Sequence, residues 1–344
     1  MRGTCGIIGQ LDKSSFQPVV LCSESVLDRC RRSIRRADVE WIGIPDHLPS
    51  AIKRIAAAKC DILCHWQIGT DPLNYFLPFA KLAPVQCTGW GTHGTTGISE
   101  VDYYVSSRLI ETEGAEEHYI ERLYRLETLP TYQPFIPPPG PADRSDFGFP
   151  ERGNLYCCPQ RLPKFHPDFD PILRAILEAD PRGYLILLEG SSVHAAAQLR
   201  KRFERTLGAT VRRLIFLPAQ EPAAYCRMLS LVDVVLDPPH YSSGWTGYDA
   251  FSLALPVVTL PGQFSVERLA MALHRKMGIA ELVADSPEDY VTRAIRLGTD
   301  RDCRHAVRSH IAERNDVLFD DVEVVREHER FFEQALERAR ESCP

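Results

Sequence analysis

Residues Leu231 to Gly262 read LVDVVLDPPHYSSGWTGYDAFSLALPVVTLPG. The apolar run Val234, Val235, Leu236 predicts a short buried strand, ended by Asp237-Pro238-Pro239. Ser242, Ser243, Gly244, Trp245, Thr246 and Gly247 form a loop of mostly small residues, and Tyr248 to Leu255 a short apolar helix. Pro256 to Leu260 predicts a second buried strand, closed by Pro261-Gly262. A small-residue loop feeding a helix start is suited to an anion. Unpaired N–H groups point out of the first turn, and the helix dipole favours negative charge there. Asp249, just inside that helix, is placed to accept from a ribose hydroxyl, as acids do in other nucleotide sites. The plain alternative is a βαβ crossover with no ligand.

The chain of 344 residues suggests two domains, with one large domain as the alternative. Its 44% hydrophobic and 25% charged residues are those of a soluble globular protein. A net charge of −6 offers no footprint for nucleic acid, and the basic piece from Arg29 to Arg36 reads as a solvated helix face. No apolar run is long enough for a membrane span, and the N-terminus shows no signal peptide. The 11 cysteines show no paired CxxC set. Cys60, Cys64 and His65 lack a second cluster to complete a tetrahedral metal site. Free thiols in a reducing cytoplasm are the expectation.

Working outward, strand and helix alternate in both halves. Expected strands in the first half include Phe16 to Cys22, Trp41 to Ile44, Asp61 to Trp66, Val85 to Thr88, Asp102 to Val105 and Arg122 to Glu127. Expected helices there include Val26 to Arg36, Ser50 to Lys59 and Leu73 to Ala80. A doubly wound domain opens with a strand, and none precedes the helix end at Gly6 to Leu11. Pro130 to Pro150 is dense in Pro and Gly and marks a linker. The expected organisation is a Rossmann-like domain over 1–135 with its first strand missing, a linker over 136–152, a second Rossmann-like domain over 153–318, and a C-terminal helix over 319–344. Two such α/β halves with parallel sheets hold ligands at the carboxyl ends of their strands.

Four blocks, in order, resemble the catalytic region of the O-linked N-acetylglucosamine transferase family (glycosyltransferase family 41). They are LAPVQCTGWGTHGTTGISEVDYYVSS from Leu82, CCPQRLPKFHPDFDPIL from Cys157, Arg213 to Gly262, and RLGTD from Arg296. The resemblance runs from about Gly6 to Arg314, and PPHYSSGWTGYDA is more similar to bacterial members. It implies a GT-B fold, with two facing Rossmann-like domains. It also implies transfer of N-acetylglucosamine from a UDP-sugar to protein Ser or Thr hydroxyls, with inversion and without a metal or other cofactor.

Residue by residue, the resemblance implies that Lys164 contacts the donor diphosphate and serves turnover. A cation there stabilises charge that develops as the diphosphate departs. Gln160 matches a donor-contacting glutamine, Thr246 and Gly247 the diphosphate-binding helix start, and Asp249 the ribose-binding acid. Gln220 falls where backbone groups hold uracil. Gly91, His93 and Gly94 fall in the loop lining the sugar pocket, with His93 the better-placed catalytic histidine. Arg268 has a matching arginine, for which a structural ion pair is the alternative. His240, in the donor loop, is a candidate sugar contact. His65 reads as a satisfied buried histidine. The expectation is that no Asp-x-Asp metal motif appears, in agreement with the metal independence that the resemblance implies.

Three departures stand out. Gly244 and Trp245 replace a histidine-bearing loop of animal members. Pro222 and Tyr225 stand where those members carry a lysine and a histidine near uracil. The family's first strand, with its histidine, and its upstream helical repeats do not appear in this sequence. The expectation is a cytoplasmic glycosyltransferase whose partners are a UDP-sugar and a protein acceptor, with no nucleic acid or membrane. A related hexose such as glucose is an alternative sugar. A catalytically weak nucleotide-sugar-binding paralogue or fragment, or a UDP-sugar epimerase of similar fold, are the alternative functions.

Overall fold

The computed structural model describes residues 2–34, 36–190 and 192–342. The chain divides into two compact units: Met1–Pro134 with Asp320–Pro344, and Phe135–Phe319. The C-terminal helix, expected as a segment of its own, is thus part of the first unit.

In the first unit the order is α1 (Arg2–Gln10), β1 (Val19–Ser23), α2 (Leu27–Arg31), β2 (Glu40–Ile44), α3 (Leu48–Ala57), β3 (Ile62–Cys64), α4 (Pro72–Phe76), β4 (Val85–Thr88), β5 (Tyr103–Ser107) and β6 (Arg122–Leu126). The second unit carries β7 (Asn154–Cys158), α5 (Phe169–Ala179), β8 (Gly183–Leu188), α6 (Val193–Thr206), β9 (Leu214–Leu217), α7 (Pro222–Ser230), β10 (Val234–Leu236), α8 (Trp245–Ser252), β11 (Val257–Val258), α9 (Leu269–Met277), α10 (Pro287–Thr299) and α11 (Arg301–Ala312). The chain then returns to the first unit as α12 (Val322–Ser342).

The strands of the second unit pair in parallel in the order β11-β10-β7-β8-β9. β7 leads through β8 to β9 on one side, and β10 leads to β11 on the other. The order therefore reverses between β7 and β10, where an open α/β sheet leaves a crevice at its carboxyl edge. β7 is buried from Leu155 to Cys158 and β10 throughout, as befits parallel strands covered on both faces. α5 turns Phe169, Ile172, Leu173, Ile176 and Leu177 inward, a helical stripe against that sheet.

The first unit differs from a single doubly wound sheet. Its parallel strands fall into a pair, β1-β2, and a four-stranded sheet in sequential order from β3 to β6. One apolar cluster spans both: Leu21 and Ile44 pack with Ala51, Ile55 and Leu63. α12 seals the larger sheet by setting Phe331 among Val85, Cys87, Tyr103, Val105 and Leu126.

The basic helix expected from Val26 to Arg36 is shorter, because α2 ends at Arg31; Arg35 lies outside the described residues. Arg36 is not a solvated residue. It is buried and donates to the carbonyls of Ile8 (3.0 Å) and Leu11 (2.6 Å), satisfying the end of α1, and pairs with Asp38 (2.7 Å). The helix expected from Leu73 ends at Phe76, followed by a 3-10 turn over Leu77–Phe79.

Candidate active site

The two loops that leave β7 and β10 meet at the crevice between those strands. From β10 the chain passes through Asp237, a buried carboxylate. Asp237 accepts from Ser242 Oγ (2.7 Å), the Ser243 amide (2.6 Å) and Thr259 Oγ1 (2.7 Å). Burial raises its pKa, and the bonds from Ser242, Ser243 and Thr259 pull it back. Ser242 Oγ accepts in turn from the Ala270 amide in the first turn of α9 (2.9 Å). A single acid thus folds the SSG loop and joins it to β11 and α9.

That loop ends at Gly244, the N-cap of α8, which carries no side chain to cap the helix. α8 begins at Trp245, three residues before the helix read from sequence, so Thr246 and Gly247 lie in its first turn. The Gly247 amide donates to Gly244 O within that turn (3.0 Å), and the amides at a helix start ahead of it are the usual donors toward an external anion. Gly247 is required by packing: a Cβ there would stand 2.8 Å from Leu273 Cδ1 of α9. Ser243 Oγ is buried beside this turn with no hydrogen-bond partner among the described residues. Asp249 lies within the same helix and is buried.

From β7 come Gln160 and Lys164. Gln160 is buried, and its side-chain amide donates to Thr246 Oγ1. Lys164 Nζ donates to the Ser242 carbonyl (3.2 Å) and stands 4.1 Å from the centre of the Tyr241 ring. Burial brings its pKa down to about 8, against the attraction of Asp237. A cation held with little counter-charge beside a helix start suits a diphosphate, because anion and ammonium compensate each other's desolvation.

Other expected residues are less directly engaged. Gln220 follows β9 and donates to Pro218 O within its own loop (2.9 Å). Arg268, at the N-cap of α9, donates to Gly262 O (2.8 Å), a structural bond. His240 has φ +68 and faces Glu267 and Asp168. Gly91, His93 and Gly94 belong to the first unit, on the loop after β4, with His93 exposed. Gly91 is required there, since a Cβ would meet Trp66 O at 1.8 Å. Glu121 holds the same loop through Thr95 Oγ1 (2.8 Å) and the Thr96 amide (2.6 Å). His65 contacts Gln86 Oε1 (3.3 Å), and its pKa is lowered by burial.

Two Asp-x-Asp spacings do occur, Asp168-Phe169-Asp170 and Asp300-Arg301-Asp302. Neither presents a pair of carboxylates. Asp170 is buried on Arg202 (2.9 Å) and Thr206 (2.9 Å), and Asp300 caps α11 through the Cys303 amide (2.9 Å). The roles of Asp237 and Tyr241 escape sequence reasoning, which reads Asp237 only as a strand end and Ser243 only as one residue of the loop. The one available signal is an acid directly after a buried strand with two serines downstream.

Residues 141–326, more than half of the chain, match the model of glycosyl transferase family 41. A probable UDP-N-acetylglucosamine–peptide N-acetylglucosaminyltransferase of Arabidopsis thaliana is 27% identical over 73% of this chain and 26% of its own length. The Caenorhabditis elegans UDP-N-acetylglucosamine–peptide N-acetylglucosaminyltransferase is 29% identical over 58% of this chain and 18% of its own. The chain therefore spans about a quarter or less of these relatives. Among solved structures, a lysine-to-methionine variant of Thermobaculum terrenum O-GlcNAc transferase superposes with a TM-score of 0.83 at 25% identity, over 99% of this chain and 65% of that one. An Anabaena protein in complex with UDP and glucose shares the fold, with a TM-score of 0.64 at 9% identity. The fold is of the GT-B type, and the chain belongs to glycosyltransferase family 41.

Proposed function

We propose that the protein transfers N-acetylglucosamine from UDP-N-acetylglucosamine to Ser or Thr hydroxyls of proteins. The observation that carries this reading is the convergence of Lys164 and the α8 start at the crevice between β7 and β10. In this reading the α8 amides and Thr246 hold the diphosphate, Gln160 orients Thr246, and Asp249 binds the ribose. Trp245 and Gly244 shape the wall beside the sugar. Gln220 borders the uracil, and Arg268 supports the donor loop from behind.

The acceptor hydroxyl oxygen attacks the anomeric carbon as the bond to the UDP oxygen breaks, with inversion, and the hydroxyl proton is released to the medium. Negative charge grows on the β-phosphate, where Lys164 stabilises the transition state more than the ground state. No metal takes part in the transfer. The relatives named for UDP-N-acetylglucosamine–peptide transfer support the donor and the acceptor class.

The test supplies the protein with radiolabelled UDP-N-acetylglucosamine or UDP-glucose and a mixture of denatured bacterial proteins, in excess EDTA. The expected result is label on protein, released by β-elimination from Ser and Thr, with N-acetylglucosamine preferred. UDP binding without transfer or hydrolysis would point instead to a nucleotide-sugar-binding protein.

A further inference from the structure

Beside the donor loop, in the second unit, His166, Asp168 and His240 converge so that their ligand atoms all lie within 4.8 Å of one another. His240 Nε2 stands 3.0 Å from Asp168 Oδ2, and His166 Nδ1 stands 3.3 Å from the same oxygen. Ligands on a tetrahedral ion with bonds of about 2.0–2.1 Å are separated by about 3.3 Å. Two of the three separations are therefore close to the edge of a coordination tetrahedron, and the third is within 4.8 Å.

His240 is also oriented from behind. Its Nδ1 lies 3.2 Å from Glu267 Oε1, and Glu267 is itself held by the Phe264 amide (3.0 Å). In the tautomer that donates Nδ1–H to Glu267, the Nε2 lone pair faces the Asp168 carboxylate at 3.0 Å, a pairing that a cation between them satisfies. A carboxylate behind a histidine is the arrangement that fixes ligating imidazoles.

We propose that His166, Asp168 and His240 bind a divalent transition ion of the zinc class, with Glu267 as the residue that positions His240. Two imidazoles and one carboxylate are a borderline donor set that suits Zn2+ and leaves a coordination position open. The side chains are 48%, 65% and 46% exposed, so an ion reaches them from solvent. The weak bond from the Asp168 amide to His166 Nδ1 (3.3 Å) is the contact an ion displaces. The ion joins the loop after β7 to the loop after β10, two residues along each loop from Lys164 and Ser242. It is a clasp on the donor loops and takes no part in the transfer.

Equilibrium dialysis of the full chain against ZnCl2, with phosphine-reduced thiols, tests the site, and Co2+ replaces zinc for absorption spectra. One ion is expected per chain, with an oxygen–nitrogen Co2+ spectrum. His166→Ala and Asp168→Asn, each shown folded by circular dichroism, should weaken binding by at least about 100-fold. Glu267→Gln should weaken it by about 10–100-fold. Unchanged affinity in His166→Ala and Asp168→Asn overturns the proposal. So does a sulfur-to-cobalt charge-transfer band that tracks occupancy, which assigns the ion to cysteines. So does the absence of zinc binding at submillimolar concentrations.

Discussion

Lys164 Nζ donates to the Ser242 carbonyl at 3.2 Å, so the cation that follows β7 is anchored to the loop that starts α8. The bond uses one of three ammonium protons and leaves donors for a ligand. Replacing this lysine with methionine keeps length and packing but removes the charge. Lys164→Met should weaken UDP by about 10–100-fold, the worth of a charge-assisted bond of about 1.5–3 kcal/mol. Thermal stability should hold or rise, because a partly desolvated charge is removed. A large loss of melting temperature without ligand would contradict this placement of Lys164.

The lowered pKa of Lys164 should make UDP binding pH-dependent. Its folded value, about 8, lies below its ordinary 10.5. Between the two, the unfolded chain holds the proton that the folded chain has lost, so this residue's contribution to stability rises with pH there. UDP binding needs the protonated form and moves the opposite way. The UDP dissociation constant should stay level in the weakly alkaline range below about 8, then rise by about tenfold per pH unit. Calorimetric titrations across that range check the slope, and Lys164→Met should flatten it.

Asp237 holds the donor loop with three accepted bonds in full burial. Asp237→Asn keeps the shape but turns an N–H2 group toward at least one of those donors. Leaving a buried donor unpaired costs about 1–3 kcal/mol. Denaturant unfolding of the second unit should show a loss of that size, together with weaker UDP binding. An unchanged unfolding midpoint would show that the loop is held by other means.

Phe331 is fully buried and seats α12 on the sheet of the first unit. Phe331→Ala should cost about 3–5 kcal/mol by transfer and cavity terms. Trypsin should then cut Arg338 and Arg340 faster than in the unaltered chain. Equal digestion rates would mean that α12 is held mainly by its polar contacts, such as Glu327 to the Thr128 amide (3.0 Å).

Much of the fold was legible because parallel strands covered on both faces write continuous apolar runs, as at Leu155 to Cys158. The helix start at Trp245 was harder to place. Apolar periodicity begins only at Tyr248, while the first turn faces the crevice with small and polar residues. Lys164 and Thr246 were legible from motif blocks, but the Gln160–Thr246 bond that couples those blocks joins residues 86 positions apart. Asp237 looked like a strand end. What makes it central is burial among hydroxyls from Ser242 and Thr259, a property of the closed fold. Arg36 misled for the same reason, since a basic run looks solvated until one arginine turns inward to cap α1.

The central claim is that Lys164 and the α8 start form one diphosphate site. Calorimetric titration of UDP into the full chain, into Lys164→Met and into Thr246→Val tests it most directly. The account predicts saturable binding to the full chain, weakened about 10–100-fold by Lys164→Met and less by Thr246→Val. No heat of binding at millimolar UDP, or equal affinity in all three proteins, would contradict it.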